Sequence, residues 1–567
     1  MRNKWDFFFV SLVLLVGICG IYGLWLLPGL PTSHDSISHL ARLFAYQEGL
    51  ADGIFPVLWA KRLYFGIGSP SLMLNYQIPY YFTMLWNLVG MNLDNSFKVT
   101  LSFSYVVSGL LMYKTLRLKY KPLPAFCGAF LYLVVPYRFL NIYVRGALGE
   151  VFSNLFPPII LYGIWQKSRV VTSLGFAGLF LSHPVGSALY SAVFLGYMIF
   201  VEKITKIKEL IKVFFVPYLI AILVASFNLI PTLALTKYTY YKTENSNTIK
   251  HFPSFAQLVY SKWGYGFSSE DQRDEMSFQV GIVQWLLGIW TIVYLCKKSK
   301  SETQRELLYL LVVATVAIGL MTQWVAKPLY LDLKIGKIID FPWRMLMVFP
   351  FVGAIGAPVL LETIRNQRAK LLVITMIVAL ASYSNRNHIR INAIWPWPST
   401  LFRQETGDAF GEYSAMWRET MRGSEFRQQA QIIKGRGIIK LLSDRSNRTM
   451  VEVETDESST LRFNTMYFPG WQAKMNGVSH PIKETKQREP SDDSCYITGS
   501  GVQEIDESGL IACPVQPGNS IVEIQYKSLP VHILANTLSI IGLASLIYLA
   551  RRPVSNISKI PTNRPRS

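Results

Sequence analysis

Negative charge is scarce in this chain, and so are cysteine and long polar stretches. Only 36 of its 567 residues are Asp or Glu, against 56 Lys and Arg. Charged residues of either sign make up 16% and hydrophobic ones 51%, which is too apolar for one or two soluble domains. Five cysteines cannot build a disulfide framework that governs the fold, and no Cys/His cluster has zinc spacing. There is no P-loop, no dinucleotide fingerprint and no Gly-x-Ser-x-Gly elbow. With inner loops too short for a nucleotide-binding domain, these absences argue against an ATP-driven pump. The net charge of +20 does not signal nucleic acid, because Lys and Arg sit in short clusters between apolar runs, where the positive-inside rule places them.

What is present is a succession of apolar runs. Residues 7–27 form the first, preceded by Arg2 and Lys4. The run has the roughly 20 residues a spanning helix needs and no small-residue cleavage site, so it reads as a retained helix with a cytoplasmic N-terminus. Alternating the basic clusters places further crossings at 96–113, 123–137, 151–165, 170–181, 185–200, 213–235, 278–296, 307–323, 343–361 and 371–384, and a last one at 531–549 before Arg551-Arg552. The expectation is an α-helical polytopic protein of the plasma (inner) membrane with about twelve transmembrane helices and both termini cytoplasmic.

Three domains follow: a transmembrane domain over 1–384 with outer loops at 31–95, 236–277 and 324–342, an extracytoplasmic β-rich domain over 385–530, and a final helix with a basic tail over 531–567. In the first outer loop, Leu40, Leu43, Phe44 and Leu50 fall at helical spacing, and residues 76–88 are short and rich in Tyr and Trp, so both stretches lie along the surface. From 385 to 530 no run can span, and alternating stretches at 449–454 and 521–526 predict a small, mostly-β domain. Cys495 and Cys513 fall in that domain around the Gly499-Ser500-Gly501 turn, an arrangement that suits a hairpin disulfide.

Chemistry concentrates in Ser33-His34-Asp35-Ser36-Ile37-Ser38-His39-Leu40-Ala41-Arg42, where the first apolar run ends. Ionisable groups this close to lipid are costly unless they pair, bind ions or react. Asp35 reads either as the carboxylate of an active site or as the N-cap of the surface helix behind it. Arg145 and Glu150 read as site residues or as an ion pair holding a helix end, His183 as a ligand or an interface histidine, and Arg344 as a ligand or a snorkelling side chain beside Trp343.

His34-Asp35 with His39-Leu40-Ala41-Arg42, Gly66-Ile67-Gly68-Ser69-Pro70, Tyr143-Val144-Arg145-Gly146-Ala147-Leu148-Gly149-Glu150, Ser182-His183-Pro184 and Phe341-Pro342-Trp343-Arg344 together resemble the bacterial GT-C-type membrane proteins. More narrowly they resemble the YfhO-like family and the 6-pyruvoyl-tetrahydropterin-synthase-related membrane proteins. Tyr467-Phe468-Pro469-Gly470-Trp471, Asn476-Gly477 and Pro517-Gly518 with Tyr526 are similar to the YfhO-type C-terminal β domain. The chain departs at Gly411-Glu412-Tyr413-Ser414-Ala415, where a Pro is expected after the Glu-Tyr pair.

The resemblance implies a GT-C-like fold and transfer of a sugar from a polyprenyl-phosphate donor to an envelope glycan, lipid or protein on the outer face. It implies Asp35 as catalytic base and Glu150 as a second carboxylate that binds acceptor or, with Asp35, a divalent cation such as Mg or Mn. Arg145 and Arg344 are then candidates for the donor phosphate, with His34, His39, Arg42 and His183 completing the shell. Two other classes stay open: a transporter or flippase for a lipid-linked glycan, which needs ionisable groups near mid-membrane, and a non-catalytic envelope-assembly scaffold. Convergence of Asp35, Glu150 and Arg344 favours the transferase; dispersal favours the scaffold.

Overall fold

The computed structural model describes residues 2–240, 251–270, 273–297, 301–332, 339–395, 413–417, 428–484, 492–499 and 508–551. Glu412, Lys298, Lys300 and the basic tail beyond Arg551 therefore lie outside the described residues. Among the described residues, seven helices are long and apolar enough to cross a membrane: Lys4–Trp25, Leu93–Leu116, Pro184–Val201, Ile207–Tyr238, Glu302–Met321, Pro342–Glu362 and Pro530–Arg551. A bent pair, Pro122–Leu133 with Pro136–Arg145, meets at 48° and makes an eighth if counted as one span.

The expectation of about twelve crossings exceeds this number. All twelve apolar runs are helical, but three fold as the short helices Phe156–Trp165, Arg169–Phe180 and Ile282–Leu295. At 1.5 Å per residue these reach about 15–21 Å, short of a hydrocarbon core of about 30 Å. The fourth, Gln367–Asn385, is long enough but carries Arg368, Lys370 and a Ser-Tyr-Ser-Asn end. Pro342–Glu362 is almost wholly buried in the bundle, whereas Pro530–Arg551 exposes Ile533, Leu534, Ile540 and Ile547.

The bend has a local cause. Pro136 lacks an N–H, and Val135 before it is extended (φ −140°, ψ 142°), so the helix cannot run through. The chain restarts at Pro136, widens into a π-turn over Leu140–Arg145 and stops at Gly146, whose φ of +62° is left-handed. The helices Ser36–Ala51 and Ile78–Leu88 are short, and the first, expected along the surface, has more than half of its residues buried. Leu40 and Leu43 are buried on the first, and Phe82 of the second packs against Phe103 and Phe152.

The C-terminal domain is a sandwich of two five-stranded sheets. The strands are β1 (Ala430–Lys434), β2 (Gly437–Arg445), β3 (Arg448–Thr455), β4 (Ser459–Met466), β5 (Trp471–Met475), β6 (Val478–His480), β7 (Ile482–Glu484), β8 (Cys495–Ile497), β9 (Leu510–Val515) and β10 (Gly518–Tyr526). One sheet has the order β1-β4-β9-β8-β7 and the other β2-β3-β10-β5-β6. Alternate residues point inward, so Val451, Val453, Val522 and Ile524 of one sheet and Leu461, Phe463 and Ile511 of the other are all buried. Cys495 and Cys513, on antiparallel neighbours, are disulfide-bonded with S–S 2.04 Å.

The segment before the sandwich belongs to the membrane half: Ala393 and Trp395 pair with Thr32 and Leu30. The Gly66–Pro70 and Tyr467–Trp471 motifs meet at the seam between the two halves. Trp59 packs between Trp471 and Tyr526, with ring centroids at 5.3 and 5.7 Å. Gly68 (φ +87°) lies against its indole, where a Cβ would come within 2.4 Å of Nε1. Lys61 bonds Asp444, and Asp52 accepts the Ser446 N–H and O–H at 2.6 Å each. These residues join the two domains.

Candidate active site

Two backbone segments far apart in sequence are stitched together at the site. The His34 N–H donates to the Val144 carbonyl at 3.1 Å and the Asp35 N–H to the Arg145 carbonyl at 2.9 Å. Gly146 makes this possible by turning left-handed where a Cβ would sit 2.2 Å from Ser33 Oγ. Asp35 thereby comes beside Arg145, with Oδ2 3.7 Å from Nη2. Asp35 occupies the N-cap position of Ser36–Ala51, yet its side chain makes no capping bond and is 33% exposed.

Glu150 is the opposite case. Its side chain is 1% exposed and saturated: Arg145 Nη1 donates to Oε1 at 2.5 Å, and Tyr137 Oη and Asn141 Nδ2 donate to Oε2 at 2.8 and 3.0 Å. His183 Nε2 and Arg344 Nε stand 3.7 and 3.5 Å from Oε1. Arg344 also pairs with Asp340 at 2.9 Å, and the Trp343 ring lies 4.8 Å from the Arg145 guanidinium. The other face of His183 caps its own helix, Nδ1 accepting the Gly186 N–H at 3.1 Å. Asp35, Arg145, Glu150, His183 and Arg344 thus converge on one cluster.

His34, His39 and Arg42 flank it. His34 stacks on Phe267 (4.3 Å) and bonds the Tyr265 carbonyl at 3.2 Å. Burial holds its imidazole below the ordinary histidine value, with Arg145 adding to this and Asp35 opposing it. His39 Nδ1 and Arg42 Nη1 both reach Tyr80 Oη, at 2.7 and 2.9 Å. Tyr76 stacks on Tyr80 and accepts the Gly149 N–H at 3.2 Å.

Sequence reasoning missed Tyr137, Asn141, Tyr76, Tyr80 and Asp340. A signal existed for two of them: Tyr137, Asn141 and Arg145 recur at i, i+4 and i+8 in an apolar run, which aligns polar groups on one helix face. Arg138, buried in the bent pair, was also missed. It bonds Ser108 Oγ at 2.8 Å between the rings of Tyr105 and Tyr132.

A divalent cation shared by Asp35 and Glu150 would need their oxygens to face a common point. The Arg145 guanidinium stands between them instead, and Glu150 has both oxygens taken. The pair as arranged does not fit a shared cation. Among the described residues, no group of three or more His, Cys, Asp or Glu could hold a metal ion.

No protein-family model matches the sequence, and no curated protein matches it. Among solved structures, the chain is similar to the arabinofuranosyltransferase AftD from Mycobacteria, with 13% identity over 69% of this chain and 27% of that one, at a TM-score of 0.40. It is also similar to the Archaeoglobus fulgidus oligosaccharyltransferase in its apo form, with 12% identity over 70% of this chain and 57% of that one, at a TM-score of 0.43. The chain spans 27% to 57% of the length of these proteins. Likeness at this level assigns no residue a role.

Proposed function

We propose that the protein is an integral membrane glycosyltransferase that moves a sugar from a polyprenyl-phosphate donor to an envelope acceptor on the outer face of the plasma membrane, with Asp35 as the base. The observation that carries the reading is the contrast between the two carboxylates. Glu150 is buried and saturated, while Asp35 is part-exposed and held beside Arg145 without a capping bond. A base must reach substrate and have an oxygen to offer; Asp35 meets both conditions.

In this reading Asp35 takes the proton of the acceptor hydroxyl as its oxygen bonds to the anomeric carbon. The bond from that carbon to the donor phosphate oxygen breaks, and the electron pair leaves on the phosphate. Glu150 neutralises and positions Arg145 and Arg344, and Arg145 orients Asp35. The basic residues at the far ends of the crossings support an outward-facing site and β domain.

The test is a transfer assay with purified full-length protein. Polyprenyl-phosphate sugars should serve as donors and nucleotide sugars should not. Transfer from a nucleotide sugar by protein that ignores lipid-phosphate sugars would overturn the proposal.

A further inference from the structure

Among the described residues around Asp35, two of the three arginines face carboxylates. Arg145 faces Glu150 and Asp35, and Arg344 faces Glu150 and Asp340. Arg42 is 6% exposed, and among the described residues no ion pair forms on it. Its Nη1 donates to Tyr80 Oη at 2.9 Å and its guanidinium carbon lies 5.8 Å from the centre of the Tyr413 ring. Its Nε–H has no hydrogen-bond partner. His39, which carries no negative charge, cannot serve as counter-ion; its Nδ1 is bonded to the same Tyr80 hydroxyl and its Nε2 receives the Leu148 N–H at 3.4 Å. A buried guanidinium with an unused donor and, among the described residues, no anion is costly by itself and is relieved by an anion that arrives with a ligand.

The position relates Arg42 to the reacting groups. It lies seven residues from Asp35 along one helix, on the same face and about 10 Å away along the axis. Its partner Tyr80 stacks on Tyr76, at 5.6 Å between ring centroids, and Tyr76 in turn accepts the Gly149 N–H next to Glu150. We propose that Arg42 is the residue that takes the donor's phosphate. The assignment rests on the reading of the site as a lipid-phosphate-dependent transferase. As the anomeric C–O bond breaks, the charge gained by the phosphate oxygen meets a guanidinium fork whose donors are not spent on a protein carboxylate. Arg145 and Arg344, each already ion-paired with carboxylates, position those carboxylates.

The experiment is equilibrium binding of a short-chain polyprenyl phosphate to the detergent-purified full chain, with polyprenol and inorganic phosphate as comparison ligands. Wild type should prefer the lipid phosphate to polyprenol, and inorganic phosphate should compete only weakly. Arg42→Gln should weaken lipid-phosphate binding at least about tenfold without weakening polyprenol binding. Arg42→Lys, which keeps the charge and loses the fork, should fall between the two and serves if the Gln variant does not fold. Wild type that binds polyprenyl phosphate and polyprenol alike overturns the donor reading and the role of Arg42 with it. Wild type that discriminates, alongside a folded Arg42 variant that discriminates equally well, overturns the role of Arg42 alone. Inorganic phosphate bound as tightly as the lipid would make the ligand a free anion and overturn the lipid source.

Discussion

At the residue scale, two carboxylates of the same charge have different surroundings, and the proposed function gives them different work. Asp35→Asn keeps the shape and removes the proposed base, so transfer should fall by roughly 10²–10⁴-fold, about 3–5 kcal/mol of barrier, while the protein purifies normally. Near-normal turnover in that variant would demote Asp35 to a bystander at a helix start. Glu150→Gln should do the reverse and damage the fold first. It strips the counter-charge from buried Arg145, a change that typically costs roughly 3–5 kcal/mol. Thermal unfolding of purified variants separates the two: a Glu150→Gln protein as stable as wild type would show that the Arg145–Glu150 pair does not hold the site together.

At the scale of elements, the turn at Gly146 couples the first loop to the bent helix. Gly146→Ala forces a Cβ into Ser33 and a left-handed φ on a side chain, which costs roughly 1–2 kcal/mol. Activity should drop further than stability does, because the bonds that hold His34 and Asp35 to residues 144 and 145 are the ones displaced. Transfer that tracks stability in step would count against this coupling.

A second element, the end of Gln367–Asn385, is buttressed by His388, stacked on Trp263 at 3.9 Å and bonded to Asn385 Oδ1 at 2.8 Å. Burial, with Arg386 beside it, pulls this imidazole down to about 4 from 6.5. Between those values the unfolded chain binds a proton that the folded chain does not. Its contribution is therefore whole above about pH 6.5 and is lost as pH falls toward 4. Melting temperature should drop between pH 7 and 4.5 in wild type and drop less in His388→Gln; equal slopes would remove His388 as the cause.

On the scale of the whole molecule, the orientation across the membrane decides which compartment the site and the sandwich share. Single cysteines at exposed Ala51 and Ser458, in a background lacking Cys19, Cys127 and Cys296, should react with an impermeant thiol reagent on intact cells. Labelling of either only after lysis would invert the topology. The sandwich is joined through Trp59 and Lys61 to the loop segment that follows the Asp35 helix, so both positions should give the same answer.

The sequence by itself determined what depends on local pattern. The apolar runs that became helices, the alternation that became a β domain, the pairing of Cys495 with Cys513 and the cluster around Asp35 were all readable, because period, length and charge act within a few residues. The tertiary structure decided the rest. Whether an apolar run crosses depends on where its helix breaks, and the 170–181 and 278–296 runs came out too short. Which carboxylate is saturated depends on how the chain folds back, which sets Tyr137 and Asn141 on Glu150 and, among the described residues, only the more distant Arg145 on Asp35. The glycine and aromatic motifs of the resemblance proved to be the seam between halves, since packing partners such as Trp59 and Trp471 are set by how the chain returns on itself, and no spacing along the chain records that return.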